Sequence, residues 1–522
     1  MYRNQANRYI PAMRLQDRKF TFARLGGAAG RYLLIILLLD LIFLAGRVIY
    51  ILYGDLDLHT EEAQYWLWSK HMAWSYYSKP PLVAWANYLA GSMLGNTELA
   101  VKANALFVGF VLPWLLYWMT LDLFRSHRLA FYSVLILFVM PYYNYISLVF
   151  MTDTYSFFFW LLAVYFTWKA LYTDRKSAWL LSGLAFGMGW LSKYTMLLLL
   201  PVIAIYAVIN IRRGKSLRNI PVFLIAIFLF SLPEIIWNWK HQFVSFRHLI
   251  DLSSVGEFQV QLTSMSKGLI EYLGGQLLLF SPFFIPLFIK GLMHWRVAIR
   301  RHAVVAYLMG IWLGVIGFFL LLSPNGVYIN WTLFAFAPMP IVLAYFTLQQ
   351  ESFRQVAWAW VLTLLVQVVG LNPGLLDAAG MGALYPPEKD ALKRMVGWQD
   401  ISRHVDQVLP EDSSYFIFSD NYHVASEMAF YLNQPHNVFC INEGRRMNQF
   451  DLWPGIDQFA HKNYRGIYIS RDAPEKSVIE AFEKVERYDT LQIYHRGQPV
   501  REFYLVVLNS FKGYSPVSTY RY

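Results

Sequence analysis

The sequence has 522 residues, of which 57% are hydrophobic, 18% aromatic and only 15% charged. Soluble domains usually carry about 25% charged residues, so this composition indicates a membrane protein. A single cysteine, Cys440, excludes an intrachain disulfide and an all-cysteine metal site. The net charge of +11 is spread over short basic segments, which indicates membrane topology and no nucleic-acid partner.

The chain begins with a basic stretch that is too long for a cleavable signal peptide, and no small-residue cleavage site follows its apolar run. Further basic loops lie at 125–128, 175–176, 212–218 and 295–302. Short basic loops between apolar segments are typical of the cytoplasmic side, so the N-terminus is predicted inside. The basic residues of the first stretch are Arg3, Arg8, Arg14, Arg18, Lys19, Arg24 and Arg31.

Eleven apolar segments can cross a bilayer core of roughly 30 Å. They are predicted at 32–53, 99–124, 129–147, 154–172, 178–192, 195–211, 219–238, 268–290, 303–322, 331–348 and 355–372. This order places the segments 54–98, 148–153, 239–267, 323–330 and everything after 373 on the outer side. An odd number of spans is therefore self-consistent. In the first span, Asp40 and Arg47 are predicted to pair within the bundle.

The first outer loop contains "HTEEAQYWLWSKHMAWSYYSKPPLVAW", which is rich in both charge and aromatic residues. One interpretation is an interfacial segment with an aromatic belt and snorkelling lysines. Two details favour a site instead. Glu61 and Glu62 are adjacent and cannot both serve one salt bridge, while Pro80 and Pro81 stiffen the backbone beside Lys79.

Three other segments place polar residues on the same predicted face. They are "FMTDTYSFFFW" with Asp153, "WLSKYTM" with Lys193, and "IIWNWKHQFVSFRHL" with Lys240, His241, Arg247 and His248. Taken singly, Asp153 could be a helix N-cap, and the basic residues could be interfacial anchors. Taken together, carboxylates and cations on one face of an apolar bundle suit a lipid-borne anionic substrate.

After residue 373 the sequence changes to the pattern of a soluble α/β domain. "SYFIFSDNYHVASEMAFYLNQ" predicts a strand, a polar loop and a helix, "YRGIYIS" and "REFYLVVLNSF" predict strands, and "PEKSVIEAFEKV" predicts a helix. "GRRMNQFDLW" has two arginines that could meet an anionic glycan or form a solvated turn. The predicted architecture is a polytopic α-helical membrane domain, 1–372, followed by an outer α/β domain, 373–522.

At these residues the sequence resembles the bacterial ArnT-like branch of the protein O-mannosyltransferase superfamily. These are GT-C glycosyltransferases that use polyprenyl-phosphate sugars. The resemblance implies a GT-C fold of about eleven or more transmembrane helices in the bacterial inner membrane, with its active site and C-terminal domain on the periplasmic side. It runs through "EEAQYWLWS", "YYSKPPLVAW", "TDTYSFFFW", "LSKYTMLLLLP", "WNWKHQFVSFRHL", "GVYINWT", "GWQDI" and "GRRMNQFDLW".

The resemblance also implies residue roles. The family's Asp-Glu pair falls on Glu61 and Glu62, so a glutamate stands where the family has its catalytic aspartate, and the second acidic position falls on Asp153. The resemblance thus implies that Glu61, Glu62 and Asp153 are catalytic. The cation before the paired prolines, Lys79, would bind the donor phosphate. Lys193 and Arg247 are predicted to assist it. The predicted substrate-binding residues are Tyr65, Tyr77, His241, Tyr328 and Asn330.

The implied reaction is inverting transfer of a sugar from a polyprenyl-phosphate carrier to an outer acceptor: lipid A, lipopolysaccharide core, another envelope glycan or a protein. A monophosphate carrier needs no metal to hold a diphosphate, so no cofactor is expected to be obligatory. His59, His71 and His241 leave a divalent-metal site open. The competing hypothesis is a flippase for lipid-linked sugars, which predicts polar residues at mid-depth and paired half-repeats. The polar groups on one face and the lack of a repeat favour the enzyme.

Overall fold

A computed structural model describes residues 27–253, 262–293, 302–325, 327–410, 414–433 and 437–514. The basic residues before position 27 and the basic loop 295–301 lie outside this range. The helices of the membrane domain are α1 (Ala28–Tyr53), α2 (Thr60–Lys70), α3 (Leu82–Leu94), α4 (Glu98–Phe124), α5 (His127–Val139), α6 (Pro141–Ile146), α7 (Thr152–Thr173), α8 (Lys176–Trp190), α9 (Leu199–Arg212), α10 (Ile220–Lys240), α11 (Val244–Ser253), α12 (Leu262–Phe280), α13 (Ile285–Met293), α14 (Ala303–Leu322), α15 (Met339–Gln350) and α16 (Phe353–Leu371).

Every predicted span falls on helix, but the spans differ in length and apolarity. Among the described residues, six helices are long and apolar enough to cross a membrane: 28–53, 98–124, 194–212, 220–240, 303–322 and 353–371. Two bent pairs raise the number to as many as eight; 267–280 and 282–293 meet at 78°, and 329–336 and 339–350 meet at 56°. The count of eleven stays a prediction.

Close helix packing depends on small residues. A Cβ added at Gly183 of α8 would lie 2.6 Å from Ala226 Cβ on α10, and one added at Gly187 would lie 2.4 Å from Phe230 Cβ. Two glycines four residues apart let helix backbones approach closely where no aqueous hydrophobic effect drives association. The α8–α10 contact therefore fixes the bundle beneath the turn that carries Lys193.

The predicted pairing of Asp40 with Arg47 is wrong in its direct form. Asp40 Oδ2 accepts a hydrogen bond from Trp114 Nε1 at 2.7 Å, while Arg47 Nη2 donates to Asn144 Oδ1 at 2.9 Å. Both side chains are buried. Each finds a polar partner on a neighbouring helix, because a helix of the bundle offers closer partners than a residue two turns away on the same helix.

The outer domain is a five-stranded sheet in the order β2-β1-β3-β5-β4. Its strands are β1 (Tyr415–Ser419), β2 (Val438–Cys440), β3 (Arg465–Ser470), β4 (Phe482–His495) and β5 (Gln498–Phe511). β1 pairs with β2 and β3 in parallel, and β5 pairs antiparallel with β3 and β4. Alternate side chains form a core on each face, as expected for a sheet that is covered on both sides.

The helices of this domain include α17 (Gly374–Ala378), α18 (Trp398–Val408), α19 (Tyr422–Tyr431) and α20 (Lys476–Glu480). The helix predicted over "PEKSVIEAFEKV" is correct only as far as Glu480. From Phe482 the chain is strand β4, because Phe482 pairs with Phe511 and its ring packs 5.0 Å from that of Phe511. The predicted domain boundary at residue 373 stays a prediction, although α16 ends close to it at Leu371.

The outer domain is seated directly on the first outer loop. The Leu58 backbone N–H donates to the Tyr431 hydroxyl at 2.6 Å, and that hydroxyl donates to Glu98 Oε1 at 2.6 Å. The rings of Trp66 and Phe430 meet edge to face with centroids 5.0 Å apart. Helix α19 is therefore packed against α2, the helix that begins with the paired acids.

The glycine contact generates a stability prediction. Gly183→Ala and Gly187→Ala each force a methyl group into the α8–α10 contact, which should destabilise the protein by about 1–3 kcal/mol. Gly46→Ala is the matched control, because nothing lies within 4 Å of a Cβ added there. Thermal unfolding of the purified protein in detergent measures the difference. Equal melting temperatures for all three variants would contradict the packing.

Candidate active site

The start of α2 presents the two acids in different directions. His59 is the N-cap; its backbone N–H donates to Glu62 Oε2 at 2.9 Å, and its Nδ1 accepts from the Glu61 N–H at 3.2 Å. Successive helix positions are about 100° apart, so neighbouring side chains cannot share one partner. The cap thus turns Glu62 inward and leaves Glu61 on another side of the helix.

Glu62 is completely buried and fully bonded. Its Oε2 forms an ion pair with Lys102 of α4, and its Oε1 accepts the Phe150 backbone N–H at 2.7 Å. Both oxygens are satisfied, so this carboxylate ties α2 to α4 and to the segment that leads into α7. The geometry favours a supporting role for Glu62; its predicted catalytic role stays untested.

Glu61 is half-buried and keeps a carboxylate available. The hydroxyl of the buried Tyr65, one turn along α2, donates to Glu61 Oε2 at 3.1 Å. Burial by itself raises the pKa of Glu61, but electrostatic interactions, that with Lys79 first and those with His59 and His423 after it, together with the Tyr65 hydrogen bond outweigh burial. The net pKa lies below its usual value, so Glu61 is ionised at neutral pH and can accept a proton.

Asp153 and Lys193 form a second buried pair. Asp153 lies in the first turn of α7 and Lys193 in the turn after α8; Lys193 Nζ donates to Asp153 Oδ1 at 2.7 Å. The same ammonium group lies 3.4 Å from the backbone oxygen of Asn330. Within the described part of the chain, Asp153 Oδ2 accepts no hydrogen bond. The pair therefore connects the start of α7, the turn after α8 and the segment at Asn330. One oxygen of the Asp153 carboxylate stays without a hydrogen-bond donor among the described residues.

Lys79 lies in the turn between α2 and α3. Its carbonyl accepts the Tyr76 N–H at 3.3 Å, and the Leu82 N–H donates to the Leu191 carbonyl at 2.9 Å, which ties this turn to the end of α8. Burial lowers the pKa of Lys79, and Lys193 acts in the same direction, against Glu61 and Asp153. Lys79 forms no direct ion pair with any described residue, so its half-buried ammonium group is free for an anionic ligand.

The remaining predicted residues make separate contacts. The Tyr77 ring packs against that of His248 on α11, with the centroids 4.7 Å apart and the planes tilted by 48°. Burial, with a smaller effect of the charges of Lys79 and Arg446, lowers the pKa of His248 to about 4. His241 is packed on Trp237 at 4.0 Å and hydrogen-bonded to its carbonyl. Arg247 is on the exposed side of α11.

Tyr328 is 66% exposed, and its ring centroid lies 5.7 Å from that of Trp331. The structure thus brings Glu61, Asp153, Lys79 and Lys193 together. It places Tyr65 and Tyr77 beside them and Asn330 against Lys193 through its backbone. The predicted roles of all these residues stay predictions.

The alternative of an aromatic belt fits the structure poorly. The six aromatic residues of the predicted belt differ in exposure: Trp66, Trp68, Tyr76 and Tyr77 are buried, Trp85 is half-buried, and Trp74 is exposed. Trp68 and Tyr76 stack with centroids 4.5 Å apart, and the Tyr76 hydroxyl donates to the Trp68 carbonyl at 2.9 Å. These rings shape the loop instead of lying in the lipid interface.

Sequence reasoning missed two contributors from the outer domain, Tyr422 and His423. Both follow β1 at the start of α19, and both interact electrostatically with Glu61. A signal existed in the sequence: in an α/β sheet the loop after a central parallel strand is a common place for binding residues. "SDNYH" occupies that place.

An apolar cavity of about 440 Å³ lies next to the Glu62–Lys102 ion pair. Lys102, the partner of Glu62, is in its wall together with Val149 and residues of α1, α6 and α16. The wall is mostly apolar, so the cavity suits a hydrocarbon chain more than a sugar. Among the described residues, no group of three His, Cys, Asp or Glu side chains lies close enough together to bind a metal ion.

Known proteins with similar sequences are glycosyltransferases. Residues 78–237 match the family model described as dolichyl-phosphate-mannose-protein mannosyltransferase. The lipid A galacturonosyltransferase RgtD of Rhizobium johnstonii is 25% identical over 414 residues, which cover 76% of this chain and 82% of the relative. An undecaprenyl phosphate-alpha-4-amino-4-deoxy-L-arabinose arabinosyl transferase of Yersinia enterocolitica is 31% identical over 170 residues, 30% of each chain.

The fold is also similar to a solved structure. The crystal structure of ArnT from Cupriavidus metallidurans bound to undecaprenyl phosphate superposes with a TM-score of 0.62 at 12% identity, over 92% of this chain and 98% of that one. The apo form of the same protein gives 0.61 at 15% identity. These findings confirm the predicted resemblance to ArnT-like GT-C glycosyltransferases and the polytopic GT-C membrane fold with a C-terminal sheet domain.

The buried pair of Glu62 and Lys102 generates a prediction. Lys102→Met leaves Glu62 as an uncompensated buried charge, which should destabilise the protein by about 3–5 kcal/mol. The double variant Glu62→Gln/Lys102→Met removes both charges and should recover most of the loss. Thermal unfolding in detergent compares the two. A single variant as stable as the wild type would contradict the assigned pairing.

Proposed function

We propose that this protein is an inverting glycosyltransferase that moves a sugar from a polyprenyl-phosphate carrier to an outer acceptor, lipid A or another envelope glycan. The observation that carries the proposal is the group formed by Glu61 and Lys79, an ionised acid and a free cation. An apolar cavity next to the neighbouring Glu62–Lys102 pair supports it. The names of the relatives support it, since they include a lipid A galacturonosyltransferase and an undecaprenyl-phosphate-dependent arabinosyl transferase.

Each charge has a distinct part in this reaction. The acceptor hydroxyl attacks the anomeric carbon, and its proton passes to Glu61. The new glycosidic bond forms as the bond from the anomeric carbon to the phosphate oxygen breaks, on the opposite face of the sugar. The departing polyprenyl phosphate gains negative charge, which Lys79 neutralises. Attack and departure on opposite faces invert the anomeric configuration.

Asp153 and Lys193 complete the proposal. Lys193 adds positive potential beside Lys79, while Asp153 holds it in place and offers its second oxygen to the sugar. An acceptor that is itself a phosphate needs no base, and the acids then only position it. The reaction as written uses no obligatory metal, because the leaving group is a monophosphate that one or two lysines can neutralise.

The site is proposed to face the periplasm from the bacterial inner membrane. An odd number of spans, eleven in the sequence-based count, puts the cytoplasmic basic loops and the outer domain on opposite sides. Compartment-specific reporters fused at Arg212 and after Gly382 test this. We expect a cytoplasmic signal from the first and a periplasmic signal from the second; the same compartment for both would contradict the topology.

Removal of the Glu61 charge should stop transfer. Glu61→Gln keeps the side-chain shape but cannot accept a proton, so kcat should fall by about 10²–10⁴-fold. Stability should stay near that of the wild type, because Glu61 is half-buried and forms no direct ion pair with any described residue. Product formation by the purified protein is the measurement, and Glu61→Asp, the residue usual in the family, is the control. Full activity of Glu61→Gln would exclude the base role of Glu61.

Replacement of Lys79 should weaken binding of the carrier. Lys79→Ala removes the cation that meets the phosphate, so affinity for the sugar donor and for free polyprenyl phosphate should both fall. Lys79→Arg should restore either only in part, since the broader guanidinium does not reproduce a compact charge beside two prolines. Lys70→Ala is the matched control: this exposed lysine of the same loop bonds Asn96. If Lys79→Ala bound the carrier as tightly as the wild type, Lys79 would not be the phosphate ligand and would be an interfacial anchor.

A further inference from the structure

The first turn of α19 is held rigidly at the candidate active site. Asn421 is the N-cap of α19, and its side chain accepts the His423 N–H at 3.0 Å. The Asn421 N–H in turn donates to Ser419 Oγ at the end of β1 at 3.1 Å. The central strand of the outer domain thus sets the direction in which Tyr422 and His423 leave the sheet.

Helix α19 cannot move freely away from the membrane domain. Ala425 of α19 and Ala63 of α2 are fully buried in one apolar cluster, with the Tyr422 ring packed against it. A side chain from another outer-domain loop also docks on the first outer loop: Gln449 Oε1 accepts the buried Tyr77 backbone N–H at 2.7 Å. Two separate contacts therefore hold this end of the outer domain over the first outer loop.

Both side chains lie near the first turns of α2, within electrostatic range of Glu61. Glu61 lies within electrostatic range of both His423 and His59, and Tyr422 lies within electrostatic range of both Glu61 and Tyr328. The rings of Tyr422 and His423 lie 4.1 Å apart. The burial of His423 lowers its pKa to about 4, so its imidazole is neutral at physiological pH. A neutral imidazole can donate one hydrogen bond and accept another.

We propose that His423 is a positioning residue for transfer: with Tyr422 it forms the acceptor-side wall of the active site and orients the Glu61 carboxylate toward the attacking hydroxyl. Lys79 lies on the donor side of Glu61, so the two sides of the reacting centre come from different domains. The outer domain is then part of the active site and selects the acceptor through Tyr422, His423 and the neighbouring Tyr328. This inference rests on the proposed function.

The test compares His423→Phe with His423→Asn in the full-length protein. Phenylalanine keeps the ring but cannot hydrogen-bond, so kcat should fall on the order of 100-fold, as expected when a reacting group loses its alignment. Asparagine restores a short donor and acceptor and should recover most of that loss. His404→Phe is the matched control, because His404 is an exposed histidine on α18 of the same domain. Melting temperature and affinity for free polyprenyl phosphate should be unchanged in all three variants.

Distinct outcomes separate this inference from the proposed function. Wild-type kcat in His423→Phe, or an equal loss in His423→Phe and His423→Asn, would overturn the positioning role. If His423→Phe does not fold, Tyr422→Phe replaces it and should raise the acceptor KM without affecting carrier binding; an unchanged KM would overturn the acceptor wall. Normal transfer by His423→Phe together with inactive Glu61→Gln would refute this inference alone. No transfer by the wild-type protein would refute the proposed function as well.

Discussion

The buried ion pair between Glu62 and Lys102 is the contact on which the geometry of the site depends. A carboxylate at the edge of a membrane domain is expensive to bury unless it is paired and hydrogen-bonded, and Glu62 meets both conditions through Lys102 and the Phe150 N–H. Because Glu62 is anchored, the first turn of α2 has one possible rotation. The neighbouring Glu61 is therefore presented to Lys79 instead of to the protein interior.

The other parts of the site are fixed in a similar way. Asp153 and Lys193 join α7 to the turn after α8 and, through the Asn330 carbonyl, to the bent pair of helices that follows. The Glu62–Lys102 and Asp153–Lys193 pairs hold the surrounding helices in place. Glu61 and Lys79 are half-buried near these pairs, and their charged groups form no direct ion pair with any described residue. This division between paired charges and available charges is what a site needs if it must neutralise a leaving phosphate without a water-filled channel. Helix α19 adds the last wall from the outer domain.

Much of this arrangement could be predicted from sequence, and the failures have physical causes. The predictions of the hydrophobic segments and of the outer domain depend on the composition of many residues. A wrong interpretation of a few residues therefore does not change them. The divergence of Glu61 and Glu62 follows from helix geometry alone. The pairing of Asp153 with Lys193 depends on how α7 and α8 pack, and it could not be distinguished from a helix cap and an anchor. Strand β4 was missed beyond Phe482 because its outward residues are largely charged and exposed, which hides the two-residue period. The role of His423 depends on docking between domains, which no local pattern reports.

The central claim is that Glu61 drives sugar transfer from a polyprenyl-phosphate carrier. Its most direct test is mass spectrometry of the envelope lipids from cells that lack the gene, complemented with wild type or with Glu61→Gln at equal expression. The account predicts that wild type alone restores one glycosylated envelope lipid, and that the Glu61→Gln cells accumulate the corresponding polyprenyl-phosphate sugar. The same glycolipid in both strains, with equal carrier pools, would contradict it.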